Sequence, residues 1–471
     1  MKIECQLDYQ TILRNQAQPV HVVVKLTAER IEQQQQRQPL AFCVVLDRSG
    51  SMAGQPLEHA RKACEVIVKN LRNEDHFSVV VFDSEAQVVI PLQQVKSKDA
   101  MIQVIRQIQD AGSTNLTAGW MLGRDELKKA PSGTQRRLLL LTDGHLNAGI
   151  TDPAQVGQIV ASGLEMDRVR TSCLGFGSNY SEDILRQLAK ASGGDFHDAD
   201  SPEKLPVIFK SELEGLQQIT AQNVRLRVKR LDFCERWGQL SDYSFTRLPD
   251  DRIEFSIGDL VSQEDRIMVL LMEVLPLPLL NGQPVASLEG EKLLELEILW
   301  DEIGEKEIKS CQHEQVIRVL GTQDAQDVKL NEETVAWVAV QRAGKAVDEA
   351  TKDIDSNKMT EARAKLQEAL DALKRYKLDE KAADGIRLLQ DLLTRLESGQ
   401  YSVRDRKVSS YSSAYYRKGS SGKAWTAPSP KPSFSAVPSV QEQLDEDPDR
   451  SGTGTKRPKN DPKPPTSKKS E

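Results

Sequence analysis

The sequence predicts a doubly wound, mostly parallel α/β domain inserted into a split antiparallel β-sandwich, then a helical segment and a polar tail. Three observations lead there. Between about residues 38 and 219, short continuous apolar runs alternate with amphipathic stretches of helical period. On both sides of that stretch apolar residues recur at period two, and beyond about residue 323 the period turns helical again. Continuous runs mark strands buried on both faces, as in parallel sheets, whereas period two marks strands with one wet face.

At the N-terminus, Val20, Val22, Val24 and Leu26 alternate. These strands are too few to be stable alone. Residues 1–37 are therefore read as the first part of a sandwich completed by residues 220–322. The later strands would carry Val224/Leu226/Val228, Ile253/Phe255/Ile257, the run 267–274, and Leu294/Leu296/Ile298/Trp300. In the inserted domain, 38–219, the buried runs are 41–46 (AFCVVL), 77–82 (FSVVVF), 138–141 and 172–176 (SCLGF). Leu57, Ala60, Cys64, Ile67, Val68 and Leu71 share one helical face. Thr151-Asp152-Pro153 and Ser201-Pro202-Glu203 read as helix starts, a capping residue followed by proline in the first turn. Alternating strands and helices imply right-handed crossovers. In 323–400, Ala362, Leu366, Ala369, Leu370 and Leu373 share a face, as do Ile386, Leu389, Leu393 and Leu396, which predicts a helical hairpin with one or two helices before it. Residues 401–471 hold 14 serines, nine of the 21 prolines and a net charge of +6. That composition buries too little apolar surface to offset chain entropy, so the whole stretch is expected to be disordered.

Composition excludes several classes of function. The 471 residues carry 63 Lys+Arg against 70 Asp+Glu, a net −7, which argues against a general polyanion binder. No apolar run approaches the roughly 18 residues needed to span a bilayer. The opening MKIECQLDYQ lacks an apolar leader core. Six cysteines (Cys5, Cys43, Cys64, Cys173, Cys234, Cys311) form no C-x-x-C pair and read as reduced thiols. The expectation is a cytoplasmic chain.

One constellation carries chemistry. After the first buried strand come Asp47-Arg48-Ser49-Gly50-Ser51, at the carboxyl end of a strand, where parallel sheets bind ligands. Gly112-Ser113-Thr114-Asn115 opens a helix, and Thr142-Asp143-Gly144 ends another buried run at the same predicted edge. Asp47, Ser49, Ser51, Thr114 and Asp143 are hard oxygen donors, suited to Mg²⁺ or Mn²⁺ rather than zinc. Five oxygen-bearing side chains leave a position open in the octahedron that Mg²⁺ prefers, so a partner's carboxylate could complete it.

The set Asp47-x-Ser49-x-Ser51, Thr114 and Asp143, in that order, resembles the metal-ion-dependent adhesion site of von Willebrand factor type A domains. The similarity covers about residues 38–219, and the split sandwich with a helical C-terminus resembles bacterial proteins carrying an inserted domain of this type. The resemblance implies that Ser49, Ser51 and, in the ligand-bound form, Thr114 contact the metal directly. It implies too that Asp47 and Asp143 act largely through water and that a partner's Asp or Glu completes the shell. The chain is thus read as a non-enzymatic adaptor that grips an acidic partner protein.

Two alternatives stay open. One is a metal-dependent phosphohydrolase using Asp47; Ser49 stands where such an enzyme wants a second aspartate to serve as acid and base. The other is a signalling scaffold whose metal is only structural. Nucleotide-cradling glycine loops, a Gly-x-Ser-x-Gly elbow and an H-E-x-x-H zinc motif do not occur. His145, just past Asp143, reads as a loop histidine. The tail sets Tyr401, Tyr411, Tyr415 and Tyr416 among Arg404, Arg406, Lys407, Arg417, Lys418 and Lys423. Such a segment could dock on an acidic partner, touch nucleic acid weakly, accept phosphate or simply aid solubility.

Overall fold

In this computed structural model the described residues are 1–29, 39–143, 148–177, 180–199, 204–216, 218–231, 233–277, 279–280, 283–284, 290–303, 308–375 and 380–421. In chain order, β1 (Lys2–Leu7), β2 (Tyr9–Leu13) and β3 (Gln18–Thr27) precede β4 (Leu40–Asp47) and α1 (Gln55–Asn70). Then come β5 (His76–Phe82), β6 (Ala86–Gln94), α2 (Lys98–Arg106), α3 (Leu116–Lys128), β7 (Gln135–Thr142) and α4 (Pro153–Asp167). β8 (Val169–Phe176), α5 (Glu182–Ala191), β9 (Phe196–Ala199) and α6 (Leu205–Leu216) complete the α/β part. Next are β10 (Ile219–Arg230), β11 (Cys234–Gln239), β12 (Ser244–Arg247), β13 (Ile253–Val261) and β14 (Asp265–Val274). They are followed by β15 (Leu279–Leu280), β16 (Gln283–Pro284), β17 (Glu291–Ile303), β18 (Ile308–Thr322) and β19 (Lys329–Leu330). Last come α7 (Glu332–Asp355), α8 (Met359–Arg375), α9 (Glu380–Glu397), α10 (Val403–Lys418) and β20 (Ser420–Ser421).

The central sheet has the order β6-β5-β4-β7-β8-β9, parallel except for β6, which runs antiparallel to β5. Strand β4 lies inside this sheet, and all eight of its residues are buried. This is why its sequence is apolar without interruption. One face packs on α1, α2 and α6, with Leu57, Ala60, Cys64, Ile67 and Val68 of α1 in that core. The other packs on α3, α4 and α5 through Leu116, Trp120, Val156, Val160 and Leu185. Asp152 caps α4 by accepting from the Gln155 N–H, with Pro153 in the first turn. The other expected helix start, Ser201-Pro202-Glu203, lies outside the described residues, as does His145. Edge strand β6 is not legible as a buried run because it alternates and carries Pro91.

The flanking strands form two sheets, β1-β3-β14-β11 and β12-β13-β10-β17-β18-β2-β19, around a shared core that includes Val22, Leu26, Leu226, Phe255, Met268 and Ile298. The N-terminal strands enter both sheets: β3 pairs with β14, and β2 pairs with β18. The sandwich is therefore split in sequence around the α/β domain. Two expectations need correction. The first sheet lacks a wet outer face, because Val23, Ile267, Val269 and Leu240 lie beneath Val338 of α7. The sandwich also continues past residue 322, since β19 pairs with β2.

The largest correction concerns the tail. Residues 401–421, expected to be disordered, are the buried helix α10 and the short strand β20, which pairs with β14. Apolar packing of Val408, Tyr411 and Tyr416, with Tyr411 edge-on to Phe196 in the α/β core, is joined here by capping, charge and small side chains. Ser402 and Asp405 form a reciprocal capping box. Ser409 and Ser412 turn their buried hydroxyls back onto the Asp405 and Val408 carbonyls at 2.8 and 2.6 Å. Gly344 of α7 lets the two helices approach, since a Cβ there would stand 2.9 Å from the Arg417 side chain. Gly419 ends the helix at φ +65°, where a Cβ would meet the Ile267 carbonyl at 2.1 Å. Residues 422–471 lie outside the described residues.

Candidate functional site

The site begins where β4 stops. Its apolar run ends at Asp47, and Arg48-Ser49-Gly50 turns the chain into a 3-10 turn at Gly50–Met52. The Asp47 carboxylate is wholly buried, yet each oxygen has a donor: the Ser49 N–H at 2.8 Å and the Thr142 hydroxyl at 2.5 Å. Burial pushes the Asp47 carboxyl above its ordinary value; the Ser49 side chain, Thr142 and the Ser49 N–H oppose that shift, and the Asp83 charge adds to it.

Asp143 follows β7, next to β4 in the sheet. The Ser51 hydroxyl donates to Asp143 Oδ1 at 2.8 Å, and the Ser49 and Ser51 hydroxyl oxygens stand 3.2 Å apart. The Asp143 carboxyl is pushed up to about 6 by burial, against the Ser51 bond and with help from Asp47. Thr114, also buried, belongs to the loop that opens α3. Backbone bonds tie that loop to the first: Gly50 N–H to the Gly112 carbonyl at 3.1 Å, and Ala111 N–H to the Arg48 carbonyl at 2.7 Å. Asn115 N–H donates to the Asp83 carbonyl at 2.7 Å, and the Asn115 side chain caps α3 by accepting from Ala118 N–H.

The structure thus brings the three predicted loops to one edge of the sheet. Asp47 and Ser49 are joined directly, Ser51 links Ser49 to Asp143, and the loop that carries Thr114 is tied by backbone bonds to the one that carries Ser49 and Ser51. Among the described residues no group of three or more His, Cys, Asp or Glu side chains is placed to hold a metal. A cation here would have to draw on hydroxyls as well as carboxylates. The donor set fits a small hard dication on that condition. It gathers hydroxyl and carboxylate oxygens only, and the guanidinium of Arg48 in the same loop is engaged by Asp83 at 2.7 Å. A cation would offset the cost of burying Asp47 beside Asp143.

Sequence reasoning missed Thr142 and Asp83. Thr142 precedes Asp143 and is the second donor to Asp47. Asp83 follows the buried run 77–82, so it too is a carboxylate at a strand end of this sheet. That position was the available signal.

Residues 42–211 match the family model described as the von Willebrand factor type A domain. Among curated proteins, the chain is 29% identical over 251 residues to an uncharacterized protein of Synechocystis sp., a match covering 52% of this chain and 59% of that one. It is 26% identical over 262 residues to inter-alpha-trypsin inhibitor heavy chain H4 of Homo sapiens, covering 48% and 28%. The chain therefore spans less than two thirds of the length of these relatives. Among solved structures, a von Willebrand factor type A protein from Catenulispora acidiphila aligns at TM-score 0.64 and 18% identity, over 82% of this chain and 89% of that one. The ArnB paralog VWA2 from Sulfolobus acidocaldarius aligns at 0.55 and 15%, over 85% and 99%. At such identities the likeness is one of fold, and it extends over more than the α/β part.

Proposed function

Since residues 42–211 form a von Willebrand factor type A domain, a type that generally serves protein interaction or adhesion, we propose that this chain is a non-enzymatic adaptor that binds Mg²⁺ or Mn²⁺ through Asp47, Ser49, Ser51, Thr114 and Asp143. The observation that carries the reading is the pair of neighbouring carboxylates, Asp47 and Asp143, gathered with the Ser49 and Ser51 hydroxyls at one sheet edge. The bound cation would supply a Lewis-acidic position open to an acidic side chain of a partner protein. The chain's own residues do the rest. Ser49 N–H and Thr142 aim Asp47, Ser51 aims Asp143, and the tied loop 111–115 presents Thr114.

The phosphohydrolase alternative finds no support at this edge, because Ser49 stands where the second carboxylate of an acid–base pair would be needed. A cytoplasmic setting belongs to the same proposal. Burial pushes the Cys43 and Cys64 thiols up to about 12, which leaves them unreactive, as suits reduced core cysteines.

The test is affinity capture from lysate with and without EDTA, using the full chain and Asp47→Ala. The proposal expects a partner that is retained in Mg²⁺ and lost both in EDTA and with the variant. Capture that persists in EDTA would overturn the bridging mechanism.

A further inference from the structure

The segment of the sequence suited to docking on acidic groups finds them in its own chain. Arg404 forks onto Asp198 at 2.8 and 2.6 Å. Lys407, 2% exposed, pairs with Glu182 at 2.9 Å and donates to the Tyr180 carbonyl. Arg406 pairs with Glu182, Asp183 and Asp355, Arg417 with Asp348 at 2.6 Å, and Lys418 with Asp195. Most of these carboxylates belong to the α/β domain, whereas Asp348 and Asp355 lie on α7. Helix α10 therefore straps the two together, through these charge pairs and through Tyr411, which packs against Phe196 in the α/β core.

The strap also reaches the metal edge by contact. Lys407 Nζ stands 3.7 Å from the centroid of the Tyr180 ring, and the Tyr180 hydroxyl bonds Asp198, which also holds Arg404. The Tyr180 ring packs on Gly175 so closely that a Cβ there would stand 2.4 Å from it. Gly175 of β8 is the register partner of Thr142 in β7. Thr142 in turn donates to Asp47 Oδ2 at 2.5 Å. Lys407, Tyr180, Gly175, Thr142 and Asp47 form an unbroken line of neighbours.

We propose that α10 is a releasable strap coupled to the candidate metal site: docked, it seats Tyr180 against β8 and so keeps Thr142 aimed at Asp47; released, it leaves the site with weaker affinity for Mg²⁺. This inference rests on the metal reading above. Lys407 and Tyr180 are positioning residues, and neither meets the cation. Such coupling requires two discrete arrangements of the strap: docked, as it lies in the structure, and free. Charge substitution at these pairs shifts the balance between them, whereas salt does so weakly because most of the carboxylates are buried. Because linkage is reciprocal, a cation that favours the docked form must itself hold the strap down.

The experiment uses the full chain and Mg²⁺ alone. Titration calorimetry reads Mg²⁺ affinity, and hydrogen exchange reads protection of residues 403–418 with and without Mg²⁺, for wild type and Lys407→Gln. Should Lys407→Gln fail to fold, Arg404→Gln with Arg406→Gln carries the same test, since those side chains are 29% and 27% exposed. The variant should lose protection over 403–418 and bind Mg²⁺ about fivefold more weakly or worse. In wild type, Mg²⁺ should raise protection over 403–418, an effect that a merely structural role for Lys407 would not produce. Unchanged Mg²⁺ affinity in a variant that has lost this protection overturns the coupling. Undiminished protection in both variants overturns the charge-held strap. A wild type that takes up no Mg²⁺ overturns the metal reading itself, and this inference with it.

Discussion

Thr142 shows what one hydroxyl does at a buried carboxylate. It donates at 2.5 Å to Asp47, a group with no exposure that otherwise depends on Ser49. Thr142→Val keeps the shape and removes the donor. It should lower stability by about 1–3 kcal/mol, the usual cost of depriving a buried charge of a hydrogen bond, as read by denaturant unfolding of the metal-free chain. An unchanged midpoint would mean that the bond carries no weight. Thr114 separates folding from function. Thr114→Ala should impair partner capture more than it lowers the melting temperature, because its hydroxyl is assigned to the cation. A variant that loses stability while capturing its partner normally would fit a metal that is only structural. That the loops of Asp47, Ser49, Ser51, Thr114 and Asp143 meet at one sheet edge was legible because these residues fall at predicted strand ends and a helix start. Thr142 was hidden by its position, since the last residue of an apolar run reads as strand rather than as ligand support.

Among elements, α10 is held in part by buried charge pairs. Glu182, Asp195, Asp242 and Asp348 face its cations, and burial opposes their ionisation in every case. The adjacent Lys and Arg charges outweigh that burial and hold all four carboxyls below the ordinary range, Asp195 at about 2. A carboxylate whose folded value is depressed contributes stability above its unfolded value, near 4, and that stability fades as pH falls through the folded value. Docking of α10 should therefore hold from neutral pH down to about 4 and weaken progressively toward pH 2, as hydrogen exchange over 403–418 can follow. Protection that stayed constant across that window would contradict the role given to these pairs. Gly419 offers a test free of charge. Gly419→Ala forces a side chain into a left-handed position and against the Ile267 carbonyl, and should destabilise by roughly 1–3 kcal/mol. Composition hid this helix, because serines that bond their own backbone and lysines that find buried carboxylates look like a solvated tail when read alone. Continuous apolar runs announced β4 and β5 by the opposite rule.

At the scale of the whole molecule, the inserted domain and the sandwich are joined by buried ions as well as by chain crossings. Arg137 of β7 and Arg170 of β8 both pair with Asp259 of β13, the latter at 2.8 Å. Asp259→Asn leaves two buried guanidiniums without their carboxylate and should cost about 3–5 kcal/mol, as breaking one side of a buried pair does. Calorimetry should then show the α/β domain and the sandwich melting in separate steps, while a single unshifted transition would contradict that coupling. Period-two flanks revealed the split sandwich. They did not reveal that α7 covers its first sheet, because the residues beneath it, Val23, Ile267 and Val269, lie two chain segments away from Val338.

The most direct test of the account is titration of Mg²⁺ into EDTA-stripped full chain, with Asp47→Ala alongside. The account predicts saturable one-to-one uptake by the wild type and none by the variant, measured where the variant still shows a cooperative melting transition. Equal uptake by both chains, or no uptake by either, would contradict it.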